Sequence, residues 1–500
     1  MATAGAGVIG LSAMMNPAFA RADDIGLVIG GSADPIPGPG YVEAADGLYL
    51  NNPLTQLYPD LTFYQATATN PFGNGLFTPE GAYPLFGQGV QQLYFNYPLD
   101  SNGLAGPSTS VGQGAAILES TILSNQAAGD ASTVLGYSQS STLAGVVMQL
   151  LDPSGTPETG PLDPQFLLLA DPNNPNGGLF ERFNGFETMS GHATVDQLNL
   201  ASLGIAFNGA TPSDDYLTNI YSLEYDGFTD FPRYPINALS DLNAFLGIEQ
   251  LHGTYLNGGV DGSGPTAEQI ANAILLPGSM ASGTADSLTN YYMIDETAPL
   301  VSVLPTKLQE LLGPDLTYLI NLGYGDGSLG YAVTADAPAN VPTPFGLFPN
   351  VSLSTVLSTL TTDTQQGFQN LMSGTDPYST ALVPATSSAT SFTDLLSALS
   401  ADAANPAASF TDFVNAISSA ASTAYSLLLP TTDIINMLVT SLPAWETSIF
   451  TDTLSTGDFV DALGLPVAGT AAIFTLAAGF EISIVQDAAS QIAADFSSLF

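Results

Sequence analysis

The sequence predicts an α/β sheet domain followed by a mainly α-helical C-terminal region. Short β-branched and apolar runs alternate with stretches of helical spacing through about residue 300, the pattern of strands joined by crossover helices. Most of those runs stop at Gly-, Pro- or Asp-rich turns. Past a Pro-rich stretch at 335–350 the composition turns to Ser, Thr, Ala and Leu at helical spacing.

The first strand candidate is "IGLVIGGS" (25–32), which ends in Gly30-Gly31-Ser32 and meets "ADPIPGPG", a stretch that neither extends a strand nor opens a helix. Residues 50–110 read as loops and short strands. "GQGAAILESTILSNQ" (112–126) places Ala115, Leu118 and Ile122 on one helical face. A short strand through Val134 and Leu135 follows, then a sharp turn and the helical "STLAGVVMQLL". "PQFLLLADPNNPNGG" (164–178) and "TNIYSLEYDGFTDFP" (218–232) read as buried strands running into turns, and "ALSDLNAFLGI" (238–248) as a helix. Long polar segments near 152–217 suggest an insertion or lid.

The expected division is a signal-peptide-like segment at 1–22, a sheet domain at 23–305, a Pro/Gly-rich connector at 306–350 and a helical region at 351–500. In the last, Leu353, Val356, Leu357, Leu360, Phe368 and Leu371 form an apolar stripe. "SFTDLLSALS" at 391, "SFTDFVNAIS" at 409 and "STGDFVDALG" at 455 each carry Ser three residues before Asp, the mark of a capped helix start. The uncharged run 462–480 approaches a membrane span in length, but Pro466 and the absence of a basic flank favour a buried helix.

Charge and residue usage remove several function classes. With 46 acidic residues against Arg21, Arg182, Arg233 and Lys307, the net charge is −42, so nucleic acid is not an expected partner and anionic membranes repel the chain. There is no cysteine, hence no disulfide and no thiol chemistry. Two histidines, His192 and His252, do not make a histidine zinc site, no stretch fits an EF-hand loop, and no cofactor is expected. The N-terminal "AGAGVIGLSAMMNPAFARADD" has an apolar core and the small-x-small site Ala18-Phe19-Ala20, which suggests export by a Sec-type signal.

Two pentapeptides fit the G-x-S-x-small pattern of a nucleophilic serine: "GPSTS" at 106–110 and "GYSQS" at 136–140. Such a serine needs a strand before it and a helix after it, with small residues two places away on either side. Only the second meets these conditions, with Gly136 and Ser140 flanking Ser138; the first has Pro107 before its serine and reads as a loop. Ser138 needs a base, and the order Ser, Asp, His favours His252 over His192, which falls in the polar insertion. The acid candidates each follow a strand: Asp226, then Asp230, then Asp171. An oxyanion would be met by the N–H of Gln139, next to the nucleophile, and one from the loop holding Ser32.

"IGLVIGGSADPIP", "TVLGYSQSS", "ADPNNPNGGLFERF", "EYDGFTDFPRYPINALSDLNAFLG" and "HGTY" together resemble the mycobacterial PE-PPE domain family, cutinase-like serine α/β-hydrolases. The resemblance spans roughly residues 25–300. It implies a cutinase-like α/β-hydrolase sheet domain acting as an esterase or lipase on acyl esters, or as an acyltransferase between cell-envelope lipids. It also implies a triad of Ser138, Asp226 and His252, with Ser32 and Gln139 at the oxyanion, an acyl-ester or lipid substrate, and a secreted or envelope location. Against the family pattern, no PE or PPE module is expected in the stretch before residue 25, and with no cysteine the cutinase disulfides are missing. A reading of another class is a structural or adhesive envelope protein on an inactive hydrolase scaffold.

Overall fold

The computed structural model describes residues 24–32, 37–55, 57–58, 61–62, 95–96, 98–184, 199–200, 205–207, 209–258, 263–284, 286–374, 377–378, 434–435 and 437–477. Seven strands form one sheet: β1 (Asp24–Val28), β2 (Leu61–Thr62), β3 (Ala131–Tyr137), β4 (Gln165–Leu169), β7 (Thr218–Leu223), β8 (Ile274–Leu275) and β9 (Thr289–Ile294). β5 (Asn199–Leu200) and β6 (Ile205–Ala206) make a separate antiparallel ribbon. The sheet order is β2-β1-β3-β4-β7-β9-β8, parallel throughout except for the edge pair β8–β9. The chain runs from β1 to β2 in one direction and then crosses back to β3. The reversal opens a crevice at the carboxyl ends of β1 and β3, where open α/β sheets bind ligands.

Both faces of this sheet are covered, which is why its central strands read as continuous apolar runs. Along β4, Phe166 and Leu168 point into one core, with Leu118 and Ile122 of α2 (Ser110–Ala128) and Val147 of α3 (Gln139–Leu151). Leu167 and Leu169 point into the other, with Tyr49, Tyr255, Val301 and Ile320. That second layer is built from α1 (Pro39–Ala45) with the π-turn Asp46–Leu50, α5 (Ala238–Gln250), α6 (Ala267–Ala271), α7 (Pro299–Ser302) and α8 (Thr306–Asn321). The short α4 (Leu179–Asn184) follows the 171–178 turn. Its Arg182, one of four basic residues in the chain, is fully buried and donates to Phe231 O, Asn176 Oδ1 and Thr343 O.

Several expectations need correction. The bounds of the polar insertion expected near 152–217 were too wide, because they enclose β4, the strand also predicted within 164–178, at the centre of the sheet. The connector expected over 306–350 begins with α8, which tolerates Pro314 in its interior. Its Pro-rich part is not a free linker either. Val333, Ala339 and Phe345 are buried, and the Phe345 ring packs 4.9 Å from that of Phe183. Proline content sets an extended backbone but says nothing about whether the side chains between the prolines find a core.

The C-terminal helices are α9 (Leu353–Ser373), α10 (Ser441–Ser455) and α11 (Phe459–Ala477). The apolar stripe expected on α9 is largely outward: Leu353, Leu357 and Phe368 are exposed, while Gly367 and Asn370 are buried. Small residues win that face because α9 crosses close to α8, where a Cβ at Gly367 would overlap Leu311 O. The helix start expected at Ser455 is made otherwise. Ser455 ends α10, Gly457 takes φ 90°, and Asp458 caps α11 by accepting from the N–H of Val460 (3.1 Å) and Asp461 (3.0 Å). The similar motifs at 391 and 409 lie outside the described residues, as does the segment 1–22. α11 buries Leu465, Ile473 and Leu476 in the core that holds Trp445 and exposes Phe459, Leu463, Val467 and Phe474. By length and composition it is long and apolar enough to cross a membrane.

Candidate active site

β3 ends at Tyr137 and α3 begins at Gln139, so Ser138 alone makes the turn between them. Its backbone sits at φ 56°, ψ −116°, a conformation that costs a non-glycine residue about 1–3 kcal/mol and persists only where neighbours enforce it. Three hydrogen bonds do so. Ser138 N–H donates to Leu169 O (2.9 Å), Ser140 Oγ accepts from Tyr137 N–H (2.7 Å), and the Ser140 hydroxyl donates to Ile29 O (3.0 Å). Ser140 is therefore more than a small residue, since it ties the turn to the end of β1. Gly136 is required for space: a Cβ there would lie 2.7 Å from Ser140 O.

His252 Nε2 stands 2.8 Å from Ser138 Oγ, and its Nδ1 stands 3.0 Å from Asp226 Oδ2 and 3.1 Å from Oδ1. A carboxylate on Nδ1 holds the proton there and leaves Nε2 free to accept from the serine hydroxyl. The Asp226 side chain is fully buried and that of His252 is 14% exposed. His252 follows the turn that ends α5, where its N–H and that of Leu251 both donate to Gly247 O. The Tyr137 hydroxyl donates to His252 O, and the Phe228 ring lies 4.5 Å from the imidazole, centroid to centroid.

The acid loop leaves β7 through Glu224 and Tyr225, the latter at φ 67°. Asp226 Oδ1 accepts from Phe228 N–H (3.1 Å) and Oδ2 from the Tyr255 hydroxyl (2.9 Å). The other two aspartates brace loops. Asp230 Oδ2 accepts from Tyr225 N–H (2.9 Å), and burial pushes its carboxyl well above the usual range. Asp171 accepts from Thr211 Oγ1 (2.6 Å) and Asn173 N–H (3.0 Å) and is pushed up to about 6 by burial. His192 lies outside the described residues.

Gln139 opens α3, so its N–H has no intrahelical acceptor. Ser32 is in the half-buried turn after β1, and a Cβ on its neighbour Gly31 would lie 3.7 Å from Ser138 Cβ. "GPSTS" is a loop through Thr109, as the sequence suggested, and its last residue, Ser110, opens α2. Thr109 caps α2 by accepting from Gly112 N–H (3.0 Å), and Ser110 Oγ accepts from Gln139 Nε2 (2.7 Å). Ser110, Tyr137, Phe228 and Tyr255 escaped the sequence reading, although Tyr137 and Tyr255 stand inside the motifs "GYS" and "HGTY". Among the described residues no group of three or more His, Asp or Glu is placed to hold a metal ion. A separate open groove of about 440 Å³ between α8 and α9, lined by Tyr318, Asp326, Asp363 and Tyr378, contains none of the three residues Ser138, His252 and Asp226.

The model of the PE-PPE domain matches residues 74–325. The chain belongs to the PE-PPE domain family. It is 35% identical to the uncharacterized PPE family protein PPE28 of Mycobacterium tuberculosis over 510 residues, 96% of this chain and 68% of that protein. It is 39% identical over 283 residues to Esterase PE16 of the same organism, 55% of this chain and 45% of that protein. PE family protein PE3 of the same organism is 34% identical over 360 residues, 69% of this chain and 62% of its own length. No solved structure matches. The fold, a mostly parallel sheet with helices on both faces and a helical C-terminal region, is the cutinase-like α/β-hydrolase fold of PE-PPE domains.

Buried carboxyls make the stability of this PE-PPE domain fall as pH rises. Burial raises Glu224 to about 7; it raises Asp241 and Glu296 to about 8, with Glu224 beside Glu296 adding repulsion there. Each raised group binds its proton more tightly folded than unfolded. Stability is therefore fullest below the unfolded value and is lost as pH rises through 7 and 8, by up to about 1.4 kcal/mol per unit of separation for a buried group. The melting temperature is expected to be higher at pH 6 than at pH 8.5, with a smaller difference in Glu296→Gln. Calorimetry across that window checks it, and an unchanged or rising melting temperature between the two values would refute it.

Proposed function

We propose that the protein is a serine carboxylic-ester hydrolase acting on acyl esters of lipids. The observation that carries this reading is the 2.8 Å approach of Ser138 Oγ to His252 Nε2, with Asp226 on the far side of the imidazole and the serine on a strained strand-to-helix turn. The family and the esterase name of one relative support the same chemistry.

In this reading Ser138 Oγ attacks the ester carbonyl carbon while His252 Nε2 takes its proton. Asp226 orients the imidazole and stabilises its positive charge. The N–H groups of Gln139 and Ser32 receive the oxyanion, each such donor being worth about 3–4 kcal/mol in the transition state. The tetrahedral intermediate expels the alcohol, which takes the proton from His252. Water then attacks the acyl-serine, and the carboxylic acid leaves. A sugar or lipid hydroxyl in place of water would make the same site an acyltransferase. The apolar segment with Ala18-Phe19-Ala20 supports placing this chemistry outside the cytoplasm, at the cell envelope.

Incubation with a fluorophosphonate probe tests the reading. The probe is expected to attach to one peptide, that of Ser138, and to stop hydrolysis of a p-nitrophenyl acyl ester in proportion to labelling. Folded protein that neither labels nor hydrolyses would instead indicate an inactive scaffold.

A further inference from the structure

We infer that Tyr255 is a positioning residue of the site, a phenol whose single proton is directed onto the Asp226 carboxylate and sets how strongly that carboxylate holds His252. This rests on the proposed role of Asp226 and adds a residue to it.

The direction of the proton follows from the hydrogen bonds on either side of the phenol oxygen. Leu223 N–H donates to the Tyr255 oxygen at 2.8 Å, which occupies an acceptor position. The hydroxyl proton then has Asp226 Oδ2 at 2.9 Å. Both residues are completely buried, so water does not compete for either group. Burial, and then the Asp226 charge, keep the phenol well above its ordinary range, so it remains a donor wherever the enzyme works. Leu223 is the last residue of β7, and the chain of bonds therefore runs from sheet backbone to phenol, carboxylate, imidazole and serine.

Tyr255 differs from the other donor to Asp226. The Phe228 N–H belongs to the acid's own loop and moves with it. The Tyr255 hydroxyl comes from the turn that carries His252, three residues on, and so fixes the acid to the base's own segment. It also shares the carboxylate's Oδ2 with His252 Nδ1. A donor on that oxygen draws charge from it and weakens its hold on an imidazolium proton; without the donor the imidazolium is held more tightly.

Tyr255→Phe removes the proton and keeps the ring. The expected result is about a tenfold fall in kcat with KM within about twofold, because Asp226 loses the bond that ties it to the His252 segment, and the lost positioning outweighs the stronger hold on the imidazolium. The acidic limb of the kcat/KM profile is expected to move to higher pH. The downfield proton resonance of the His252–Asp226 pair, read in the resting protein at low pH, is expected to move further downfield. Tyr49→Phe is the control: it removes a buried hydroxyl that donates to Tyr255 O and touches neither Asp226 nor His252. It should cost stability and leave the limb and the resonance in place. If Tyr255→Phe keeps the wild-type limb and resonance, or changes them no more than Tyr49→Phe does, the inference is overturned. The resonance is read without turnover, so a protein that lacks esterase activity still decides it, and loss of the esterase reading shows separately in the fluorophosphonate experiment.

Discussion

Ser138→Ala is expected to lower ester hydrolysis by about 10⁶-fold, leaving only what binding and the oxyanion donors supply. His252→Ala should cost about the same, and the double variant no more than either alone, because serine and base act on one proton. Asp226→Asn should cost about 10⁴-fold, since an amide donor facing Nδ1 favours the wrong imidazole tautomer. The decisive comparison is among the aspartates. Asp171→Asn keeps an oxygen for Asn173 N–H, turns an amide N–H toward Thr211 Oγ1, which can accept as well as donate, and lies in another hydrogen-bond set, so its kcat is expected to stay within about threefold of wild type. Asp230→Asn should lose stability first, because Asp230 holds Tyr225 N–H at a residue with φ 67°. Steady-state kinetics on folded variants read all of these. Equal losses in Asp226→Asn and Asp171→Asn would remove the basis for assigning the acid by geometry.

The strands and the serine turn were legible because their signals are local. β3 is an apolar run, Gly136 and Ser140 flank Ser138, and α3 follows within one residue. With two histidines in the chain, the candidate base was nearly chosen by counting. From the residues alone three acid candidates stayed open, with Asp226 ranked first, since Asp171, Asp226 and Asp230 all follow strands; it was the family resemblance that pointed to Asp226. What separates them is which one faces His252, and that depends on the fold of a turn in which Tyr225 takes a positive φ. Ser140 and Tyr255 show a second limit. Composition reports that a residue is small or aromatic, not where its hydroxyl points, and both hydroxyls reach partners more than 25 positions away in the chain. The Pro-rich stretch failed for a different reason. Its prolines were visible, while the fit of Phe345 against Phe183 across 162 positions was not.

Gly247→Ala sets two general rules against each other and should be decided by the structure. Gly247 lies inside α5 with no positive φ, so propensity alone favours alanine by about 1 kcal/mol. The packing points the other way. A Cβ at 247 would overlap Tyr225 O and lie 3.5 Å from Asp226 Cα, both backbone atoms of a turn whose freedom is already limited by the Asp230 carboxylate and the strained Tyr225. Neither can rotate away as a side-chain tip would, so helix and loop must separate. Overpacking of this kind costs about 1–3 kcal/mol, which exceeds the propensity gain. The same separation acts on the site from both sides. Asp226 is on the displaced loop, and Gly247 O anchors the N–H of His252 at 3.1 Å. A relative shift of about 1 Å between acid and base is enough to cost about 10²-fold in kcat. Gly253→Ala, next to His252 but with open space around its Cβ, should leave both stability and kcat nearly unchanged. A Gly247→Ala variant with a raised melting temperature and full activity would show that α5 can slide over the acid loop without disturbing Asp226.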